Sequence, residues 1–236
     1  MEIHGFNKLT LLDYPGKIAC TIFTGSCNFR CPFCHNATLV LNSKAQPLIS
    51  EEEILTCLKE RRDRLEGVAI TGGEPTLYPD LPDFIRKIKE LGYPVKLDSN
   101  GSRPGILRDL INNGLVDHIA MDIKAAPENY GQAVGIKNFS MDEIFESADL
   151  LMDNGAKGII DYEFRTTVVN GIHTEKDFEK IGRWLKGAKA YFLQQFKDSG
   201  DLIAPEGLSA PTFEQMNGYR EILLPNIPST QLRGVS

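Results

Sequence analysis

Short apolar blocks recur along the chain, and each ends in polar or glycine-rich residues. Lys17-Ile18-Ala19-Cys20-Thr21-Ile22-Phe23-Thr24 reads as a buried strand. Residues 67–70, 93–97, 116–121, 159–169 and 190–196 read the same way. Helical patterns separate them. Ser50-Glu51-Glu52-Glu53 opens one, with Ser50 as cap, Glu53 closing a capping box and acidic residues at the positive end of the dipole. Others are expected over about 79–91, with Asp80 near its start, and 103–112. A fourth is expected over 140–153, with Ser140 and Glu143 as a second capping box, and a fifth runs from Thr174 to about Lys186. Residues 1–16 are expected to precede the first strand, 37–49 and 125–139 to be loops, and 197–236 to hold one helix near 212–222 and then an irregular tail.

A strand–loop–helix unit thus repeats about six times, which implies parallel strands with right-handed crossovers. Six units fall short of the eight in a closed barrel. The expected fold is α/β, a partial (β/α)6 TIM-like barrel open on one side. Residues 1–200 would form the barrel with its N-terminal extension, and 201–236 a C-terminal helix and tail within the same domain.

The 236 residues carry a net charge of −6 and no basic block, which disfavours a nucleic-acid partner. No apolar run is long enough for a membrane span, and the N-terminus lacks signal-peptide character, so a cytoplasmic protein is expected. Reducing surroundings suit cysteines that bind metal.

Three of the five cysteines, Cys27, Cys31 and Cys34, share one short loop after the first expected strand, spaced C-x3-C-x2-C. Three thiolates this close favour zinc or an iron–sulfur cluster. A closed zinc site needs four ligands. The near candidate, His35, adjoins Cys34, and both side chains would strain to reach one ion. Three ligands on a four-iron cluster would instead leave one iron open. Cys20 and Cys57 read as small core residues.

Cys27-Asn28-Phe29-Arg30-Cys31-Pro32-Phe33-Cys34, with Phe33 as the aromatic before the last cysteine, resembles the signature of the radical S-adenosylmethionine (SAM) superfamily. Thr71-Gly72-Gly73-Glu74-Pro75 resembles its second motif. The resemblance extends to about residue 200 and implies a 4Fe-4S cluster on Cys27, Cys31 and Cys34. It also implies SAM, with Gly72, Gly73 and Glu74 around the methionine amine and Phe33 beside the cluster. Asp98-Ser99-Asn100 and Asp122-Ile123-Lys124 look like strand ends of activating enzymes for glycyl-radical proteins. There Asp122 would meet ribose or a monovalent cation that Asp98 shares, and Lys124 the SAM carboxylate. Ser99 and Asn100 would line the same wall, Arg165 would add a second cation, and Gln195 would reach toward the ribose.

Residues 9–17 together with the cysteine loop closely resemble activating proteins of anaerobic ribonucleoside-triphosphate reductases. That resemblance implies SAM cleavage by a reduced cluster, hydrogen abstraction from a glycine of the partner reductase, and a small electron-transfer protein as donor. Three alternatives stay open: an activase of another glycyl-radical enzyme such as pyruvate formate-lyase, a radical SAM enzyme on a small metabolite in a closed polar pocket, and a non-catalytic zinc module. His4, His118 and His173 belong to no constellation and are expected to be structural or exposed.

Overall fold

The computed structural model describes residues 1–235. One eight-stranded sheet follows sequence order from end to end: β1 (Ile3–Thr10), β2 (Ala19–Thr24), β3 (Gly67–Gly72), β4 (Val95–Ser99), β5 (His118–Asp122), β6 (Asp161–Val168), β7 (Tyr191–Gln195) and β8 (Thr230–Arg233). Only the β1–β2 pair is antiparallel. The six expected strands are β2 to β7. Two more, β1 and β8, form the edges and do not pair with each other, so the barrel stays open between them.

Both edges correct the sequence expectation. β1 lies within residues 1–16; its Ile3-His4-Gly5-Phe6-Asn7-Lys8 run lacks clean alternation, and its register with β2 slips twice. Backbone pairing rather than a periodic apolar face makes it a strand. β8 lies in the stretch expected to be irregular after its helix, where Thr230 is buried but Gln231 is exposed. A four-residue edge strand carries too few positions for a period-2 pattern to show.

The helices between strands are α1 (Ala37–Leu41), α2 (Glu51–Glu60), α3 (Leu81–Glu90), α4 (Pro104–Asn112), α5 (Tyr130–Val134), α6 (Asp142–Ala156), α7 (Glu175–Trp184) and α8 (Phe213–Leu223). Ser50 caps α2 by accepting the Glu53 N–H at 3.1 Å, and Asp177 accepts the N–H and hydroxyl of Thr174 at the start of α7. α1 and α5 replace expected loops; each is one short turn held by a few buried residues, such as Val40 and Tyr130. α6 begins at Asp142, and Ser140 bonds the Asp142 N–H and carboxylate rather than a box with Glu143.

The two sheet faces differ. Along β4, Val95 and Leu97 alternate with Lys96 and Asp98; along β6, Tyr162 and Phe164 alternate with Glu163 and Arg165. The apolar set packs under helices, where Phe84, Ile88, Leu110, Leu151 and Phe178 are fully buried. The charged set lines the inside of the barrel. Parallel strands buried on both faces usually read as continuous apolar runs; here one face is kept polar.

Candidate active site

At the C-terminal ends of β2 to β6, one cavity takes in Cys27, Cys31, Cys34, Phe33, Gly72, Gly73, Glu74, Asp98, Ser99, Asn100, Asp122 and Lys124. Counting its open mouth, the space among them is about 790 Å³. The structure therefore gathers twelve residues from segments separate in sequence. The expected Arg165 and Gln195 stand outside its lining. Arg165 lies just beneath, on β6, and Gln195 donates to the Pro211 carbonyl at 2.8 Å beside a neighbouring groove.

Backbone hydrogen bonds mould the cysteine loop onto the end of β3. Gly73 N–H donates to the Thr24 carbonyl at 2.9 Å and Glu74 N–H to the Ser26 carbonyl at 2.8 Å. The two chains approach so closely that a Cβ on Gly73 would stand 1.7 Å from the Ser26 oxygen. Gly72 adopts φ +119°, a conformation L side chains rarely take. The Asn36 side chain closes the loop by donating to the Gly72 carbonyl at 2.9 Å.

Glu74 is buried, and its carboxylate accepts four hydrogen bonds: from Thr76 N–H (3.1 Å), Thr76 hydroxyl (2.5 Å), Ser99 hydroxyl (2.9 Å) and Asn100 N–H (2.6 Å). Burial raises its pKa, and these donors offset part of that rise. The side chain thus staples β3 to β4.

Beneath the rim runs a chain of alternating charge. Lys96 pairs with Asp98; Arg165 bridges Asp98 at 3.1 Å and Asp122 at 2.9 Å; Lys124 pairs with Asp122 at 2.9 Å. Burial acts against each charge, but the pairing outweighs it: Asp122 falls to about 2, Asp98 is lowered, and Lys124 and Arg165 are raised. All four oxygens of Asp98 and Asp122 face cations of the chain itself. A monovalent cation shared by the two carboxylates would have to fit beside these partners.

Several neighbours were not singled out from sequence. Thr167 lines the cavity. Lys96, Glu163 and Arg233 line a charged chamber below it, together with Asp98 and Arg165. Arg233 forks onto Glu163 at 2.7 and 2.9 Å and stacks 3.2 Å from the Phe192 ring centre. The alternation Val95-Lys96-Leu97-Asp98 and Tyr162-Glu163-Phe164-Arg165 was the available signal: charge in every second position of a central parallel strand. His173 is structural, as expected: Val169 N–H donates to its Nδ1 at 3.0 Å, leaving Nε2–H to donate to the Lys124 carbonyl at 2.9 Å. His35 is exposed, stacks on Phe196 and bonds the Lys197 carbonyl at 2.7 Å.

Burial pushes the Cys27 thiol up to about 11 and Cys31 up to about 12. Such thiols become thiolates only when a cation compensates them. Among the described residues, no three His, Cys, Asp or Glu side chains converge on one ion-sized point. Three soft sulfurs lining one cavity suit an iron–sulfur cluster.

An open, mostly parallel sheet with three cysteines at its C-terminal rim defines a radical SAM type of protein. The sequence profile of the radical SAM superfamily matches residues 21–185, and the chain belongs to that superfamily. It is 35% identical over 204 residues to a Methanocaldococcus jannaschii protein that carries the provisional name glycyl-radical enzyme activating enzyme, covering 84% of this chain and 82% of the relative. It is 29% identical over 208 residues to a protein of Saccharolobus solfataricus named as a GTP 3′,8-cyclase, covering 84% of this chain and 61% of that one. Among solved structures, Streptococcus suis SuiB bound to precursor peptide SuiA superposes with a TM-score of 0.68 at 13% identity, over 91% of this chain and 48% of SuiB. The anSMEcpe structure with bound AdoMet gives 0.59 at 17% identity, over 86% of this chain and 57% of that one. These two likenesses concern the fold. The family implies a 4Fe-4S cluster and SAM. No helix among the described residues is long and apolar enough to cross a membrane.

Proposed function

We propose that this chain is a radical SAM activase that installs a glycyl radical on a partner protein, with an anaerobic ribonucleoside-triphosphate reductase as that partner. One observation carries the reading: three cysteine sulfurs, a glycine-rich rim and a half-buried lysine face one cavity at the C-terminal ends of the strands. The relative named as an activating enzyme, matched over most of both chains, supports the specialisation.

Cys27, Cys31 and Cys34 would hold the cluster. When bound, the cluster and SAM supply reductive cleavage and a hydrogen-abstracting 5′-deoxyadenosyl radical. The chain's own groups bind and orient. Lys124 remains protonated and offers its ammonium to a carboxylate. With the Glu74 carboxylate committed to four internal donors, an ammonium beside it would meet main-chain carbonyls of the rim. Phe33, buried against His173, closes the floor. Asp98, Ser99, Asn100 and Asp122 would border the ribose side. A sheet left unclosed between β1 and β8 would let a polypeptide segment approach.

A second reading is favoured by the charged chamber of Lys96, Asp98, Glu163, Arg165 and Arg233 below the site. Such a chamber suits a small polar metabolite. Anaerobic incubation with SAM, reductant and the candidate reductase separates the two. A glycyl-radical signal on the reductase by electron paramagnetic resonance is expected. SAM cleavage with no such signal on any glycyl-radical partner would transfer the case to the metabolite reading.

A further inference from the structure

Asn100 lies at the end of β4 and is buried, with 5% of its surface exposed. Its side chain has one defined orientation. Oδ1 accepts the Ser102 N–H at 2.9 Å, so Nδ2 must face the other way. There it donates to Asn28 Oδ1 at 2.9 Å and approaches Cys27 Sγ at 3.8 Å. Asn28 is oriented in turn by donating its own Nδ2 to the Ser102 hydroxyl at 2.8 Å. The Asn100 backbone is fixed by Glu74. Cys27 Sγ also accepts the Phe29 N–H at 3.3 Å.

Cys27 therefore receives two N–H donors, one from its own loop and one from a different strand. Among the described residues, no hydrogen bond reaches the sulfur of Cys31 or Cys34. An N–H aimed at a cluster thiolate stabilises negative charge on the sulfur. It favours the reduced cluster, which carries one more electron, over the oxidised one.

We infer that Asn100 is a positioning residue that acts through Cys27 to ease one-electron reduction of the cluster, rather than a contact to SAM alone. This rests on the cluster reading of the site. Glu74 belongs to the same device: by holding the Asn100 N–H it connects the glycine-rich motif to the cluster's ligand shell.

The test is a redox titration of reconstituted protein in the absence of SAM, read by the reduced-cluster paramagnetic signal. Without SAM, a residue that served only to contact it would leave the potential unmoved. Asn100→Ser keeps an acceptor for the Ser102 N–H but cannot reach the sulfur. Asn100→Asp keeps the shape and replaces the donor with an acceptor. The reduced-to-oxidised ratio at a fixed poise is expected to fall about threefold to tenfold in Asn100→Ser, tenfold being about 59 mV for one electron. It is expected to fall further in Asn100→Asp. Ratios within twofold of wild type in both variants would overturn the inference. So would failure of both variants to hold a cluster that wild type holds, because Asn100 would then be a structural strut. If wild type itself holds no cluster, the failure belongs to the reading of the site.

Discussion

The outer and inner faces of the same sheet are built for different ends. Outside, Val95, Leu97, Ile119, Met121 and Phe164 meet the helices and are almost fully buried. Inside, Lys96, Asp98, Asp122, Glu163 and Arg165 alternate with them; Lys96, Asp98, Asp122 and Arg165 pair along one chain, and Glu163 pairs with Arg233. Apolar burial contributes most of the folding free energy, at about 25 cal/mol per Å². A buried ion-pair chain contributes little net stability, because desolvation offsets its Coulomb gain. The difference teaches that the inner face is retained for what it presents at the C-terminal rim. Changes outside should cost stability, changes at the rim should cost chemistry, and the charged interior should make stability depend on pH.

Gly73→Ala gives the sharpest contrast. Its Cβ would collide with the Ser26 carbonyl and push the cysteine loop away from β3. SAM cleavage should drop about a hundredfold, the cost of an ångström-scale misplacement. Iron content per chain and 5′-deoxyadenosine formation measure it. Wild-type turnover would show that the close approach has no functional role.

Phe84→Ala in α3 should do the reverse. The side chain is fully buried on the outer face, and its removal should cost about 3–5 kcal/mol. Denaturant unfolding reads that loss. Cleavage per loaded cluster, assayed well below the melting temperature, should be unchanged; a matching loss of turnover would erase the division between the faces.

The smallest expected effect is on acid stability. His118 sits inside the barrel, 3.9 Å from Glu163, with its ring edge-on to Tyr14. Burial lowers its pKa to about 4, outweighing the opposing pull of Glu163. Below the unfolded value of about 6.5, the unfolded chain therefore takes up a proton that the folded chain refuses. Stability from this site is fully present above that value and is lost progressively as pH falls toward 4. Each pH unit is worth at most about 1.4 kcal/mol. His118→Asn should flatten the slope of unfolding free energy between pH 6 and pH 4.5, and an unchanged slope would place the acid sensitivity elsewhere.

Much of this arrangement was legible in the chain. The cysteine spacing, the Gly72-Gly73-Glu74 turn and the two Asp-containing strand ends pointed to residues that do share one cavity. Local chemistry made them readable, because glycines and cysteines announce close backbone approach and metal binding in any context. The expected role of Glu74 was less complete. Its carboxylate is filled by Thr76, Ser99 and Asn100, and a donor from another strand leaves no trace in sequence. The same holds for Arg165, whose partners Asp98 and Asp122 lie 67 and 43 positions away. β1 and β8 escaped because edge strands need only backbone partners and carry weak periodicity.

One assay tests the cysteine rim most directly: anaerobic reconstitution, then incubation with SAM and dithionite, in wild type and Cys31→Ala. Wild type should bind iron and acid-labile sulfide and release 5′-deoxyadenosine, whereas Cys31→Ala should release none while retaining its fold by circular dichroism. A fully loaded wild-type cluster that leaves SAM intact, or a Cys31→Ala protein that cleaves it equally well, would contradict the assignment of the rim as a radical SAM centre.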